Sequence, residues 1–88
     1  MEVRTTAARQ NPEFDNTQKF IEVGYNIAYY RKHNGLTQEQ LAERVGISRQ
    51  HLGAIEAPRI CRPISLDLLF NISTVLGIDP SKLLAFRE

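Results

Sequence analysis

Four times along this chain an aliphatic residue precedes a Thr, Ser or Asp, and a Leu stands four positions after that polar residue. The sets are Leu36, Thr37 and Leu41; Ile47, Ser48 and Leu52; Ile64, Ser65 and Leu69; Ile78, Asp79 and Leu83. In each set the polar side chain can accept from the free amides at a helix start, while the apolar pair closes over it as a hydrophobic staple. Four such starts predict four short helices. Gln40 adds a capping box to the first, Asp67 places its charge at the favourable end of the third, and Gly77 suits a left-handed cap there. Pro80 suits the first position of the last. Upstream, Phe20, Val23, Ile27, Tyr30 and Arg31 recur at helical spacing, predicting a further helix from about Thr17 to Asn34-Gly35. No alternating run supports a strand. The expected fold is all-α, a bundle of five short helices over 17–88, with residues 1–16, polar and broken by Pro12, as a mobile arm.

Length confines these helices to one domain, because 88 residues organise a single core. With 42% apolar and 24% charged residues the balance is globular, and the longest apolar runs, Ile27–Tyr30 and Leu83–Phe86, are far short of the roughly 20 residues a bilayer demands. No secretory pattern follows Met1, so a cytoplasmic protein is expected. The single Cys61 permits neither an internal disulfide nor a cysteine-rich zinc site, and no cofactor is implied. No Ser, His and Asp set and no glycine-rich phosphate loop appears, so no enzyme is expected. The net charge of +1 is small, but residues 18–34 carry Lys19, Arg31 and Lys32 against Glu22, and 58–64 carry Arg59 and Arg62 against no acid. Positive charge is therefore concentrated in two segments, where an anionic partner is best met.

Between Gln38 and Ala57, Leu41, Ala42 and Val45 form one apolar stripe, and Ile47, Leu52 and Ile55 a second after Gly46. Two helices around a tight turn satisfy that pattern, with small Ala42 allowing close approach. Arg49, Gln50, Gly53 and Ala54 then share an outward face.

At these residues the chain resembles the phage-repressor-like helix-turn-helix family, the lambda repressor/Cro or xenobiotic-response-element group. The likeness runs from about Val23 to Leu84. It covers Val23-Gly24, Ile27 and Arg31; Gly35 to Gln38 with Leu41-Ala42; Val45 to Ser48; Leu52, Ile55 and Glu56; then Pro63, Leu68 to Ile72, Leu76-Gly77 and Leu83-Leu84. The resemblance implies a lambda-repressor-like domain whose third helix, about Ser48 to Ala57, enters the major groove while the second crosses the backbone. Arg49 and Gln50 take the principal base-reading positions and Ala54 a third. Arg can pair with guanine O6 and N7, Gln with adenine N6 and N7, and a methyl group with thymine. Gly53 either permits close approach or leaves a base pair unread. Thr37 and Gln38 are implied phosphate anchors, with Lys32, Arg59 and Arg62 from the flanks. Ser48 is first a cap and then a phosphate donor, and His51 either touches a phosphate or is simply exposed. Arg31 and Glu56 match the family's structural ion pair. Tyr30 points coreward, leaving Tyr25 and Tyr29 as surface or interface residues.

One departure stands at Ala57-Pro58, where the family has a glycine; Pro58 ends the third helix by steric exclusion instead. Arg59 and Arg62 beside Cys61 would favour its thiolate, giving a redox switch as the alternative to an incidental cysteine. The resemblance implies a transcriptional regulator, a repressor, acting as a homodimer on a double-stranded operator. Leu84 and Phe86, with little chain left to cover them, are candidate interface residues. The alternative is an antitoxin or other protein-binding module, neutralising a toxin or another partner and repressing its own operon through the same fold.

Overall fold

Helix boundaries follow from capping in the computed structural model, which describes residues 12–86. Helices α1 (Thr17–His33), α2 (Gln38–Val45), α3 (Arg49–Glu56) and α4 (Leu66–Leu76) are flanked by 3₁₀ turns at Pro12–Phe14 and Pro80–Leu84, and no described residue is in a strand. Thr37 Oγ1 accepts from Gln40 N at 3.0 Å and Gln40 Oε1 from Thr37 N at 2.9 Å, closing the capping box. Ser48 and Ser65 accept from the His51 and Leu68 amides at 2.9 and 3.1 Å. At α1 the work falls to Asp15, one residue before the Asn16 N-cap, which accepts from Thr17 Oγ1 at 2.6 Å and Thr17 N at 3.0 Å. Those bonds hold its carboxyl below the ordinary value of 3.8. Residues 1–11 of the expected arm lie outside the described residues, and Pro12–Phe14 within it forms the first 3₁₀ turn.

The turn joining α2 to α3 depends on Gly46, whose φ of 80° lies in the left-handed region. With Gly46 so placed, Ile47 N reaches Ala42 O at 3.0 Å and Gly46 N reaches Glu43 O at 3.3 Å. These are the paired bonds of a Schellman closure, which satisfy the last carbonyls of α2 and start α3 two residues later. Gly77 closes α4 in the same way.

All four staple leucines, Leu41, Leu52, Leu69 and Leu83, are buried in one core with Val23, Ile27, Ala42, Ile55, Ile72 and Leu76. Their partners Leu36, Ile47, Ile64 and Ile78 pack around it, as does Tyr30. Phe20 is not part of that core; it lines a shallow hollow with Phe14, Cys61 and Pro63. Helix α1 packs against α3 and the C-terminal turn, α2 packs against α3 and α4, and α4 closes against the C-terminal turn and α1.

The expected fifth helix is a 3₁₀ turn. Its amide bond is the tighter i to i−3 type, Lys82 N to Asp79 O at 2.9 Å. Further winding is cut off because Asn26 Nδ2 takes the Leu83 and Ala85 carbonyls at 3.1 Å each. The all-α class stands with four α-helices rather than five.

The α1 crossing over α3 is set by Gly24. A methyl group there would collide with the Ile55 carbonyl and lie 3.3 Å from Glu56 Cα. Because the obstacle is backbone, no rotamer change relieves it, and Gly24→Ala is expected to cost about 3 kcal/mol despite alanine's higher helix propensity. Urea unfolding of the two proteins measures this.

Candidate nucleic-acid interface

Burial of Leu52 and Ile55 fixes which side of α3 faces inward, so Arg49 and Gln50 in its first turn are exposed, with Gly53 and Ala54 half-buried one turn on. All four lie along one side of an eight-residue helix. The side chains of Arg49 and Gln50 have no hydrogen-bond or ion-pair partner among the described residues. At Gly53 an added Cβ would meet only Gln38 Oε1, at 3.6 Å, so packing does not require glycine there.

The start of α2 lies beside the end of α3, joined through Gln38, whose Nε2 donates to Glu56 Oε1 at 2.9 Å. The Gln38 side chain is thus tied to the scaffold, while the first amides of α2 remain free of side-chain caps apart from the box at Thr37 and Gln40. Thr37 and Ser48 are exposed and use their oxygens as caps; His51 is half-buried. Lys32 is exposed on α1 in a groove of about 320 Å³ shared with Tyr25, Tyr29, Glu56 and Pro58, which brings it next to the end of α3. Arg59 and Arg62 are exposed on the segment between α3 and α4, as is Cys61. Ala57 ends α3 with ψ at 130°, the extended conformation that the ring of Pro58 imposes. A turn follows, closed by Ile60 N to Ala57 O at 3.4 Å, and carries the chain to Ser65 without helix.

Arg31 reaches Glu56 with both Nε and Nη2, at 2.8 and 2.9 Å, and spends Nη1 on the Leu36 carbonyl at 2.8 Å. The two charged side chains are only 9% and 4% exposed, so α1, α2, α3 and the α1–α2 turn meet at one satisfied buried pair. Sequence reasoning missed two members of this arrangement, the Gln38 amide and the Leu36 carbonyl. A first-turn position next to the Thr37 cap gives Gln38 no local sign of a partner 18 residues away. Among the described residues no group of three or more His, Cys, Asp or Glu is placed to hold a metal, and no helix is long and apolar enough to cross a membrane.

Two capped helices at a glycine turn, the second presenting an Arg-Gln turn and locked at its other end by a buried ion pair, are the parts of a helix-turn-helix unit. The helix-turn-helix family profile matches residues 27–83. This chain belongs to the Cro/C1-type helix-turn-helix family. It is 49% identical over 51 residues, 58% of its own length and 71% of the other's, to an uncharacterized HTH-type transcriptional regulator of Methanothermobacter thermautotrophicus. It is 37% identical over 59 residues to the control protein C.SmaI of Serratia marcescens, covering 67% of this chain and 68% of that one. The crystal structure of the restriction-modification controller protein C.AhdI from Aeromonas hydrophila superposes with a TM-score of 0.66 at 31% identity, covering 73% of this chain and 94% of that one. The protein is accordingly a DNA-binding transcriptional regulator.

Two substitutions separate scaffold from surface in this helix-turn-helix unit. Arg31→Ala strands the Glu56 charge and is expected to cost about 3 to 5 kcal/mol, whereas Arg31→Met combined with Glu56→Gln recovers much of it. Equal melting temperatures for Arg31→Ala and the parent would contradict the pair's structural role. Gly53→Ala, by contrast, meets ordinary contact distance and removes a flexible residue from a helix interior, so it should stabilise by about 0.5 to 1 kcal/mol. Denaturation midpoints decide both.

Proposed function

We propose that the protein is a sequence-specific repressor, a binding rather than a catalytic protein acting in the cytoplasm, whose α3 reads the major groove. The observation that carries this reading is the exposed Arg49-Gln50 turn, whose side chains have no partner among the described residues, on a helix whose opposite side and C-terminal end are fixed. Arg49 and Gln50 pair with base edges, and Ala54 presents its methyl to a thymine. Thr37 and Gln38 bring the free amides of α2 to a phosphate, Gln38 through its backbone because its side chain is held by Glu56. Ser48, His51, Lys32, Arg59 and Arg62 supply further phosphate contacts. Residues 17–88 form the DNA-binding domain, with the segment before them as an arm.

Eight residues at 1.5 Å each make α3 about 12 Å long, enough for three or four base pairs. Selectivity therefore calls for a second copy on a second half-site about one helical turn away. Leu84 and Phe86, 47% and 37% exposed at the end of the C-terminal turn, form the face on which two copies meet.

The deciding experiment measures affinity for a selected operator and a scrambled duplex across a salt series. Arg49→Ala should weaken the operator by about 1 to 3 kcal/mol, relax preference at one base pair and leave the scrambled duplex nearly unchanged. Arg59→Ala or Lys32→Ala should weaken both duplexes alike and reduce the salt slope by about one for each phosphate left without its cation, because fewer counterions are released. A parent that binds both duplexes equally overturns the reading.

A further inference from the structure

Tyr25, Ala28, Tyr29 and Lys32 follow one another at the spacing of a single side of α1, and none of the four lies in the hydrophobic core. With Glu56 and Pro58 they line the groove of about 320 Å³ at the end of α3. Tyr25 and Tyr29 are 54% and 45% exposed, while Ala28 between them is half-buried and leaves the groove open. The Tyr29 ring is held in place: it stands edge-on to Tyr30, with centroids 5.0 Å apart, and lies over His33 at 4.4 Å. Its hydroxyl, like the Lys32 amine, has no hydrogen-bond partner among the described residues. Glu56, the acid in the walls, is 4% exposed and bound by Arg31, so the charge the groove presents is that of Lys32.

The groove lies between two places where the DNA backbone is anchored on the reading given above, on which this inference rests. On one side is the start of α2, joined to Glu56 through Gln38, and on the other is Arg59, next in the chain after Pro58. A strand that touches both anchors crosses the groove. Its backbone alternates apolar deoxyribose rings with phosphates, whose oxygens accept hydrogen bonds and carry charge. A tyrosine matches both parts, with an apolar ring body and a donor at its tip. We propose that this side of α1 seats one phosphodiester of the operator: the Tyr29 hydroxyl donates to a phosphate oxygen, Lys32 counters its charge, and the Tyr25 ring lies against the neighbouring deoxyribose. The seat reads no sequence; it fixes the register of the protein on the duplex, as backbone contacts do.

The test measures affinity for the selected and the scrambled duplex across a salt series, with thermal melting of each protein alongside. Tyr29→Phe keeps the ring and removes the donor. It should weaken both duplexes by about three- to tenfold, the worth of one hydrogen bond, with the melting temperature and the salt slope unchanged because no cation is lost. Ala28→Lys adds a cation inside the groove and should tighten both duplexes and steepen the salt slope by about one, whereas Thr74→Lys, on the exposed side of α4, should do so much less. Duplexes carrying one uncharged methylphosphonate linkage at a time then locate the contact: the Tyr29→Phe penalty should shrink at one linkage and stay whole at the others. Parental affinity in Tyr29→Phe overturns the seat, as does a penalty equal at every linkage, which would mark an effect through the fold. Ala28→Lys and Thr74→Lys with the same salt slope overturn it too. A parent that binds neither duplex removes the DNA placement itself rather than the seat alone.

Discussion

The Glu56 carboxylate lies where α1, α2 and α3 converge, 4% exposed, and takes three hydrogen bonds, two from the Arg31 guanidinium and one from the Gln38 amide. A charge moved this far from water costs several kcal/mol, and only a partner of opposite charge with its remaining donors satisfied offsets that cost. Arg31 meets the condition because its third nitrogen is occupied by the Leu36 carbonyl. A pair of well-packed apolar residues of equal volume could match its stability, so what the pair adds is direction. The fork geometry of guanidinium and carboxylate admits one arrangement of the three helices, whereas apolar contact tolerates sliding. The angle at which α3 leaves the body of the protein is set there.

That pair can form only because α1 comes close enough to α3. Gly24 and Arg31 are seven residues apart, two turns, and so share one side of α1. Where Gly24 touches the Ile55 carbonyl and Glu56 Cα, the two backbones are in direct contact, and Arg31 then reaches Glu56 with both nitrogens in hydrogen-bond range. A side chain at position 24 would lift α1 and draw the guanidinium away from the carboxylate. Steric and electrostatic constraints therefore act on the same crossing, and losing the first weakens the second.

Most of the framework was legible because it rests on short-range chemistry. Thr37 with Gln40, and Ser48 and Ser65 with amides three residues on, act within one turn, and the staple pattern around them marks the core residues. Arg31 and Glu56 were legible through resemblance rather than spacing. What remained hidden has long-range partners: the grip of Asn26 on a segment near the chain's end, the Gln38 amide on Glu56, and the reason for glycine at position 24. The C-terminal segment is a 3₁₀ turn rather than the expected fifth helix for the same cause. Asp79, Pro80 and Leu83 give every local sign of a helix start, but carbonyls further on are taken by Asn26 before a second turn can form. Local signals place a beginning; tertiary contacts decide how far an element runs.

On the proposed reading, the division between a locked scaffold and an exposed face also explains why one copy is not enough. The side chains of Arg49 and Gln50 have no partner among the described residues, so they can be exchanged at little cost in stability, and on the proposed reading their value lies in base contacts. A good bidentate pair discriminates by about 1 to 3 kcal/mol, so two such side chains on one α3 supply about 2 to 6 kcal/mol. Specific binding needs about 4 to 10 kcal/mol over non-specific binding. A single head enters that range only in the upper half of its own. Two heads held rigidly together, at about 4 to 12 kcal/mol, span it, provided the join between copies is as well oriented as each α3 is by Glu56. A loose join would return the gain as entropy, since each head would then bind nearly independently. On the proposed reading, the orientation of one copy against the other therefore matters to sequence reading as much as the fixed angle of α3 does.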